Sequence, residues 1–448
     1  MGSPRARPGS ARPGRNRRLS GVRMLEASQV LGVVDEILAR SHDFFEKNVL
    51  TLHEEDLRNA LEDGLPASGV SGLEEFGDAV RRAWEGRGVR YELGGSSDPV
   101  ARELLRSISD SVRSELTPGV GRPEALDLAA LLRSEYTEIV APSGSVRGFI
   151  RRGGNRPLLV LNALGLSIKI WSRLLSGEHG YKVIVPALPS CDPIAGGMTE
   201  TRSARELAGA LADLLNDLAL PEVDVLGWCN GGRVGVELFR LSHPSIARLV
   251  LLSPTFRGGL TRGRGTSPWE DNLDTLFSKV ADVPSRAVYV STMLRLPQPA
   301  PDWERLADQP QRVRQMFSMP RKAFDTAMIK PMATPESLVH YVRRTYLDQA
   351  LSAEPPAPLP GDRIVLIQGS HDSIVDNVHT REWLGERAPG FTCYEVSGAG
   401  HYIQDLQYPY LVHLLYKVLV PGAEAGYLPT RVREISVASV VAPPADTG

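Results

Sequence analysis

Cysteine is scarce: the 448-residue chain holds three. So few in so long a chain cannot build a disulfide framework, which makes a reducing, cytoplasmic setting the expectation. Long apolar runs are missing too, since none approaches the roughly 18 residues that a membrane-spanning helix needs. Charge of one sign is also absent. A formal net charge of -2 gives no general attraction to nucleic acid or to an anionic membrane. No His, Cys and Asp spacing suggests a metal site, and no cofactor is expected. Gly258 and Gly259 lie in an Arg-containing loop, not in the tight strand-to-helix turn of a phosphate cradle. What is present is an ordinary globular composition, 42% hydrophobic and 23% charged, with length for two or three domains or one large decorated one.

Residues 1–23 are rich in Arg, Pro and Gly without hydrophobic period and read as a disordered basic arm. Arg17-Arg18 is faintly like a twin-arginine export signal, but the charges that follow at Arg23, Glu26, Asp35 and Glu36 leave no clean apolar stretch. Met24 is an alternative start. Residues 24–130 read as a helical accessory domain: Val30, Val33, Val34, Ile37 and Leu38 recur at helical spacing, as do Leu104, Leu105, Ile108 and Val112. Ser71 and Glu74 have capping-box spacing. Over residues 24–118 there are 19 Asp and Glu against 10 Lys and Arg.

From about residue 135 short β-rich runs alternate with helical ones. Tyr136–Val140 and Val146–Ile150 read as a hairpin, followed by strands at 158–161, 183–185, 223–226, 249–252, 364–367 and 392–396. Most are apolar and bounded by Gly, Pro or Asp, as strands buried on both faces should be. Helices are expected at 204–218 and 234–241. This alternation predicts an α/β fold with a mainly parallel sheet, its core in two parts, 135–254 and 354–422. The insertion at 255–353 reads as helical with Pro breaks, and over residues 256–344 it carries 14 Lys and Arg against 9 Asp and Glu. Residues 423–448 read as a loose tail.

One segment concentrates the chemistry: Gly227-Trp228-Cys229-Asn230-Gly231-Gly232 follows a Val- and Leu-rich strand and leads into a helix. A nucleophile at such a turn sits on strained backbone with its side chain above the sheet, and the helix N-terminus stabilises an anion there. Downstream come Gln368-Gly369-Ser370-His371-Asp372-Ser373 and Gly398-Ala399-Gly400-His401. With the strand Tyr181–Pro189, these segments in this order resemble the α/β-hydrolase superfamily over roughly residues 135–420. The resemblance implies an α/β-hydrolase fold with the insertion as a helical cap. It also implies a triad of nucleophile Cys229, base His401 and acid Asp372, with Asp376 as the alternative acid. Backbone N–H groups of Asn230 and, by alignment, Leu164 in Asn162-Ala163-Leu164-Gly165 would form the oxyanion hole. Trp228 and Asn162 are expected at the substrate. Cys191 would be a loop residue near the site, or a second thiol, and Cys393 a core residue.

Most members of the superfamily use serine. A cysteine forms a thioester, which amines and thiols attack well relative to water, so transfer is favoured over hydrolysis. The box Gly227–Gly232 is similar to that of polyhydroxyalkanoate synthases, although Tyr402-Ile403-Gln404-Asp405 departs from their pattern. The leading expectation is an acyltransferase or cyclising thioesterase, of the kind used in natural-product biosynthesis, fed by a CoA or acyl-carrier-protein thioester. A plain hydrolase of esters, thioesters or lactones is the alternative, and a catalytically silent binding protein of the same fold is the third. The Arg excess of the insertion would suit a phosphopantetheine or CoA donor or an acidic carrier, or would simply solvate a helix face.

Overall fold

The computed structural model describes residues 51–52, 92–93, 127–141, 146–177, 179–188, 194, 196–241, 245–257, 267–295, 330–355, 357–396, 399–420 and 432–435. The basic arm, nearly all of the accessory region, Cys191 and most of the tail therefore lie outside the described residues. Within the region read as helical, Thr51–Leu52 and Glu92–Leu93 pair as two short parallel strands. Such a pairing joins residues 41 positions apart, so local periodicity carries no sign of it.

Nine strands form one sheet. In chain order they are β1 (Tyr136–Val140), β2 (Arg147–Arg151), β3 (Arg156–Leu161), β4 (Tyr181–Ala187), β5 (Val223–Trp228), β6 (Ile246–Leu252), β7 (Ile364–Gly369), β8 (Thr392–Val396) and β9 (Val432–Ile435). Their spatial order is β9-β8-β7-β6-β5-β3-β4-β2-β1. Strands β3 to β8 are parallel, while β1, β2 and β9 pair antiparallel with their neighbours. The order along the sheet reverses between β4 and β5 on either side of β3, the kind of switch point beside which α/β sheets place their sites.

Both faces of the parallel strands are covered, which explains their near-continuous apolar runs. Alternation still sorts them. Leu158, Val160, Leu226, Val250, Leu252 and Ile367 join one core layer. Leu159, Leu161, Val225, Leu249, Leu251 and Leu366 join the other. Helix α1 (Leu128–Glu135) and the C-terminal helix α8 (Tyr408–Leu419) close the first layer. Helices α2 (Ala204–Leu218), α3 (Gly231–Arg240) and α7 (Asn377–Arg387) close the second. Helix α2 begins at Ser203, whose hydroxyl accepts from Glu206 N while the Glu206 carboxylate returns to the Ser203 N–H, a reciprocal cap.

Two boundaries differ from the sequence reading. Helix α1 crosses the expected end of the accessory region at residue 130 and runs directly into β1. The tail read as loose supplies β9, which pairs Val432 with Val396 and Ile435 with Cys393. A four-residue edge strand with one buried apolar residue, Val432, has too short a pattern to be seen alone. Its partner strand and the Arg433–Glu395 ion pair at 2.9 Å fix it.

Candidate active site

The loops after β3, β5, β7 and β8 all leave the same edge of the sheet, because those strands are parallel. Each carries one part of the expected chemistry. At the end of β5, Cys229 has φ 53°, the left-handed region that costs a non-glycine residue about 1–3 kcal/mol. The surroundings hold it there: Cys229 N donates to Leu252 O at 3.1 Å, and Cys229 O accepts from Gly232 N at 3.0 Å. Two glycines are required by close approach. A Cβ on Gly227 would lie 2.8 Å from Gly232 Cα, and one on Gly231 would lie 2.4 Å from the Asn162 carbonyl oxygen. The glycines flanking the cysteine thus let α3 start against both β5 and the loop after β3. Helix α3 begins at Gly231, three residues earlier than the apolar pattern indicated.

His401 and Asp372 converge on this turn. His401 Nδ1 and Asp372 Oδ2 are 2.9 Å apart, with side-chain exposures of 3% and 0%, so water screens the pair little. The other carboxylate oxygen accepts from Ile374 N at 2.9 Å and Val375 N at 3.0 Å, which locks its orientation. The His401 ring is also hydrogen-bonded to Cys229. Burial works against a charged ring and is the largest influence on it. The Asp372 carboxylate and Cys229 together outweigh burial, and the His401 pKa is pushed up to about 10. An imidazole of this kind keeps a proton through neutral pH and has it available for a leaving group. Asp376, the alternative acid, is occupied elsewhere: it caps α7, accepting from Val378 N and His379 N. Cys393 is buried in β8, and burial pushes its thiol up to about 12, so it is inert core.

The residues expected at the substrate do other work. Trp228 is 1% exposed; its indole N–H donates to the His401 carbonyl at 3.1 Å and its ring lies 5.4 Å from the imidazole. It packs beside the histidine and fixes its backbone. Asn162 is also spent internally: its Oδ1 accepts from Trp171 Nε1 at 3.0 Å and its Nδ2 donates to Leu166 O at 2.7 Å. It shapes the loop that carries Leu164. Leu164 N–H, the expected oxyanion donor, donates to Asn230 Oδ1 at 2.8 Å.

Between β6 and β7 the described residues form helices α4 (Pro268–Asp282), α5 (Ala287–Arg295) and α6 (Pro335–Ala353), which share a core of Phe277, Val280, Ala287, Val290, Leu338 and Val342. They are tied to the site loops. Ser267 Oγ, which caps α4, donates to Ile374 O at 2.6 Å beside the acid loop. Ser337 Oγ, at the start of α6, accepts from Met198 N at 2.7 Å. Tyr341 on α6 lies close to Cys229 and to the Asn230 side chain. Sequence reasoning missed Tyr341, since a lone tyrosine 112 positions beyond the nucleophile has no local signal. Two arginines of the insertion are spent within it or beneath it: Arg257 pairs with Asp274, and the buried Arg344 pairs with Asp348 at 2.9 Å.

Among the described residues no group of three His, Cys, Asp or Glu could hold a metal ion, and no helix is long and apolar enough to cross a membrane. A pimeloyl-[acyl-carrier protein] methyl ester esterase of Aromatoleum aromaticum is 36% identical over 128 residues, which are 27% of this chain and 46% of that protein. The chain thus spans about half the length of the curated relative it matches. Among solved structures, an epoxide hydrolase has a TM-score of 0.46 at 16% identity, over 64% of this chain and 98% of that one. A bromoperoxidase from Bacillus anthracis has a TM-score of 0.44 at 16% identity, over 63% and 99%. The profile of the alpha/beta hydrolase fold family matches residues 156–408, from β3 to the first residue of α8. This chain belongs to the α/β-hydrolase fold family.

Proposed function

We propose that the protein is an acyl-transferring enzyme that forms a thioester on Cys229. The single observation that carries this reading is the chain Asp372–His401–Cys229, its acid and base buried and the cysteine half-buried on strained backbone between β5 and α3. Cys229 sulfur attacks the acyl carbonyl and drives its electrons onto the oxygen, where the Asn230 and Leu164 N–H groups are the candidate donors. Collapse breaks the bond to the leaving alcohol or thiol, which takes its proton from His401. An acceptor amine, alcohol or thiol then gives its proton to His401 and attacks the thioester, releasing Cys229. Asp372 holds the ring orientation throughout. A cysteine paired with a histidine that keeps its proton favours this route over the neutral serine–histidine arrangement, in which the histidine must start unprotonated.

For the substrate class, support comes from the curated relative, whose name describes an ester of an acyl chain borne on acyl-carrier protein. An acyl thioester or ester of carrier protein or CoA is therefore the proposed donor. The same relative favours one second reading, hydrolysis of such an ester with water as the acceptor. Incubation with a panel of acyl-CoA and acyl-pantetheine thioesters, followed by intact-mass spectrometry, tests both. An adduct on Cys229 that is absent in Cys229→Ala supports the covalent route, and its absence with every donor sinks it. Faster adduct decay with added amine, alcohol or thiol favours transfer; decay indifferent to acceptors favours hydrolysis.

A further inference from the structure

Asn230 occupies the N-cap position of α3, and asparagine there ordinarily accepts from an N–H of its own helix. It makes no such bond. Its carboxamide reaches across to the loop after β3 instead, and Oδ1 accepts from Leu164 N–H at 2.8 Å. That N–H cannot move to suit. Its loop is held by Asn162 Nδ2 on Leu166 O, by Trp171 Nε1 on Asn162 Oδ1, and by Gly231 packed against the Asn162 carbonyl. The carboxamide also lies against the phenol of Tyr341. Tyr341 is in turn fixed by the edge of Phe277, at 5.7 Å between ring centroids. Its helix is anchored by Ser337 on Met198 N and Pro331 O and by His340 on Thr201.

We propose that Asn230 and Tyr341 form a latch on the oxyanion hole, in which the Asn230 amide oxygen fills the Leu164 donor until an acyl carbonyl expels it. An amide oxygen accepts an N–H as an acyl carbonyl does, so the free enzyme holds an internal substitute for its substrate. A neutral substrate carbonyl exchanges one hydrogen bond for a similar one and gains little. A developing oxyanion is a charged acceptor and binds the donor about twice as strongly, so the latch yields most readily in the transition state. Tyr341 is a positioning residue: it holds the amide in the plugging orientation from α6. Acylation of the site is thereby linked to the placement of the cap helix. The inference rests on Cys229 being the acylated group, and its test separates the two.

Asn230→Ala removes the plug and keeps the backbone N–H of residue 230. Tyr341→Phe keeps the ring against Phe277 and removes only the hydroxyl. Two rates are measured on each variant: alkylation of Cys229 by iodoacetamide, which needs no oxyanion hole, and the acylation burst with p-nitrophenyl acetate. Melting temperature confirms that each variant is folded. The expected result is acylation faster by about three- to tenfold in Asn230→Ala, expressed mainly as a lower KM, with alkylation unchanged. Tyr341→Phe should give a smaller rise in the same direction, and the double variant no more than Asn230→Ala alone. Acylation at wild-type rate in both folded variants overturns the latch. So does acylation slowed tenfold in Asn230→Ala with alkylation intact, which would make the amide a donor to the oxyanion. If either variant fails to fold, the other decides by the same criteria. Wild-type protein alkylated at Cys229 but never acylated would overturn the acyl-enzyme reading itself.

Discussion

Gly231→Ala is the sharpest test of how the site is assembled. An added Cβ would lie 2.4 Å from the Asn162 carbonyl oxygen and 2.5 Å from that of Leu161. Both obstacles are backbone of β3 and its loop, so no side-chain rotation relieves them. Ordinary contact begins near 3.4 Å, and roughly 1 Å of separation must therefore open between α3 and the loop. Overpacking of this kind costs about 1–3 kcal/mol of stability. The effect on chemistry should be larger in proportion, because the two candidate oxyanion donors lie on the two bodies being pushed apart. A misplacement of about 1 Å can cost about 10²-fold in rate. The assay compares acylation by p-nitrophenyl acetate with alkylation by iodoacetamide, alongside a urea melt. Acylation should fall about 10²-fold while alkylation changes several-fold at most. Gly209→Ala, where nothing lies within 4 Å of the new Cβ, is the control and should add up to about 1 kcal/mol through helix propensity. Acylation within twofold of wild type at unchanged stability in Gly231→Ala would refute the argument that this contact sets the donor geometry.

Asp372→Asn should lower acylation by about 10²- to 10⁴-fold, since the amide keeps the bonds from Ile374 and Val375 but not the charge that holds His401 protonated. The raised His401 pKa stabilises the fold fully below the ordinary histidine range, and this stability fades as pH rises through about 10. The stability gap between wild type and Asp372→Asn should therefore be wide at pH 6 and close by pH 11, as read by urea denaturation; a gap that widens with pH would contradict this linkage. Asp224, on β5, carries the opposite sign of effect: desolvation by burial raises its pKa to about 6, so ionising it disfavours the fold as pH rises past the ordinary carboxylate value. Asp224→Asn should raise the melting temperature at pH 8 and leave it unchanged at pH 3, and an equal rise at both would point to a cause other than charge.

The sequence by itself determined the elements that local chemistry governs. Helix α2 was legible to the residue because its apolar stripe is regular. The central strands were legible because burial on both faces makes them uniformly apolar. The segments that carry Cys229, Asp372 and His401 were legible because their turn residues are short and sit in a fixed order. Only the tertiary structure decided the rest. Trp228 adjoins the nucleophile and Asn162 lies in the loop of the expected oxyanion donor, and those positions made them candidates for the substrate. The fold instead consumes their hydrogen bonds on Leu166, Trp171 and His401. Asp372 and Asp376 are both carboxylates on one loop, and only the direction of α7 shows that the second is a cap. Tyr341 and β9 reach their places through contacts across more than thirty residues. A hydrogen bond's partner is set by where the chain returns in space, and residue type and spacing along the chain do not encode that return.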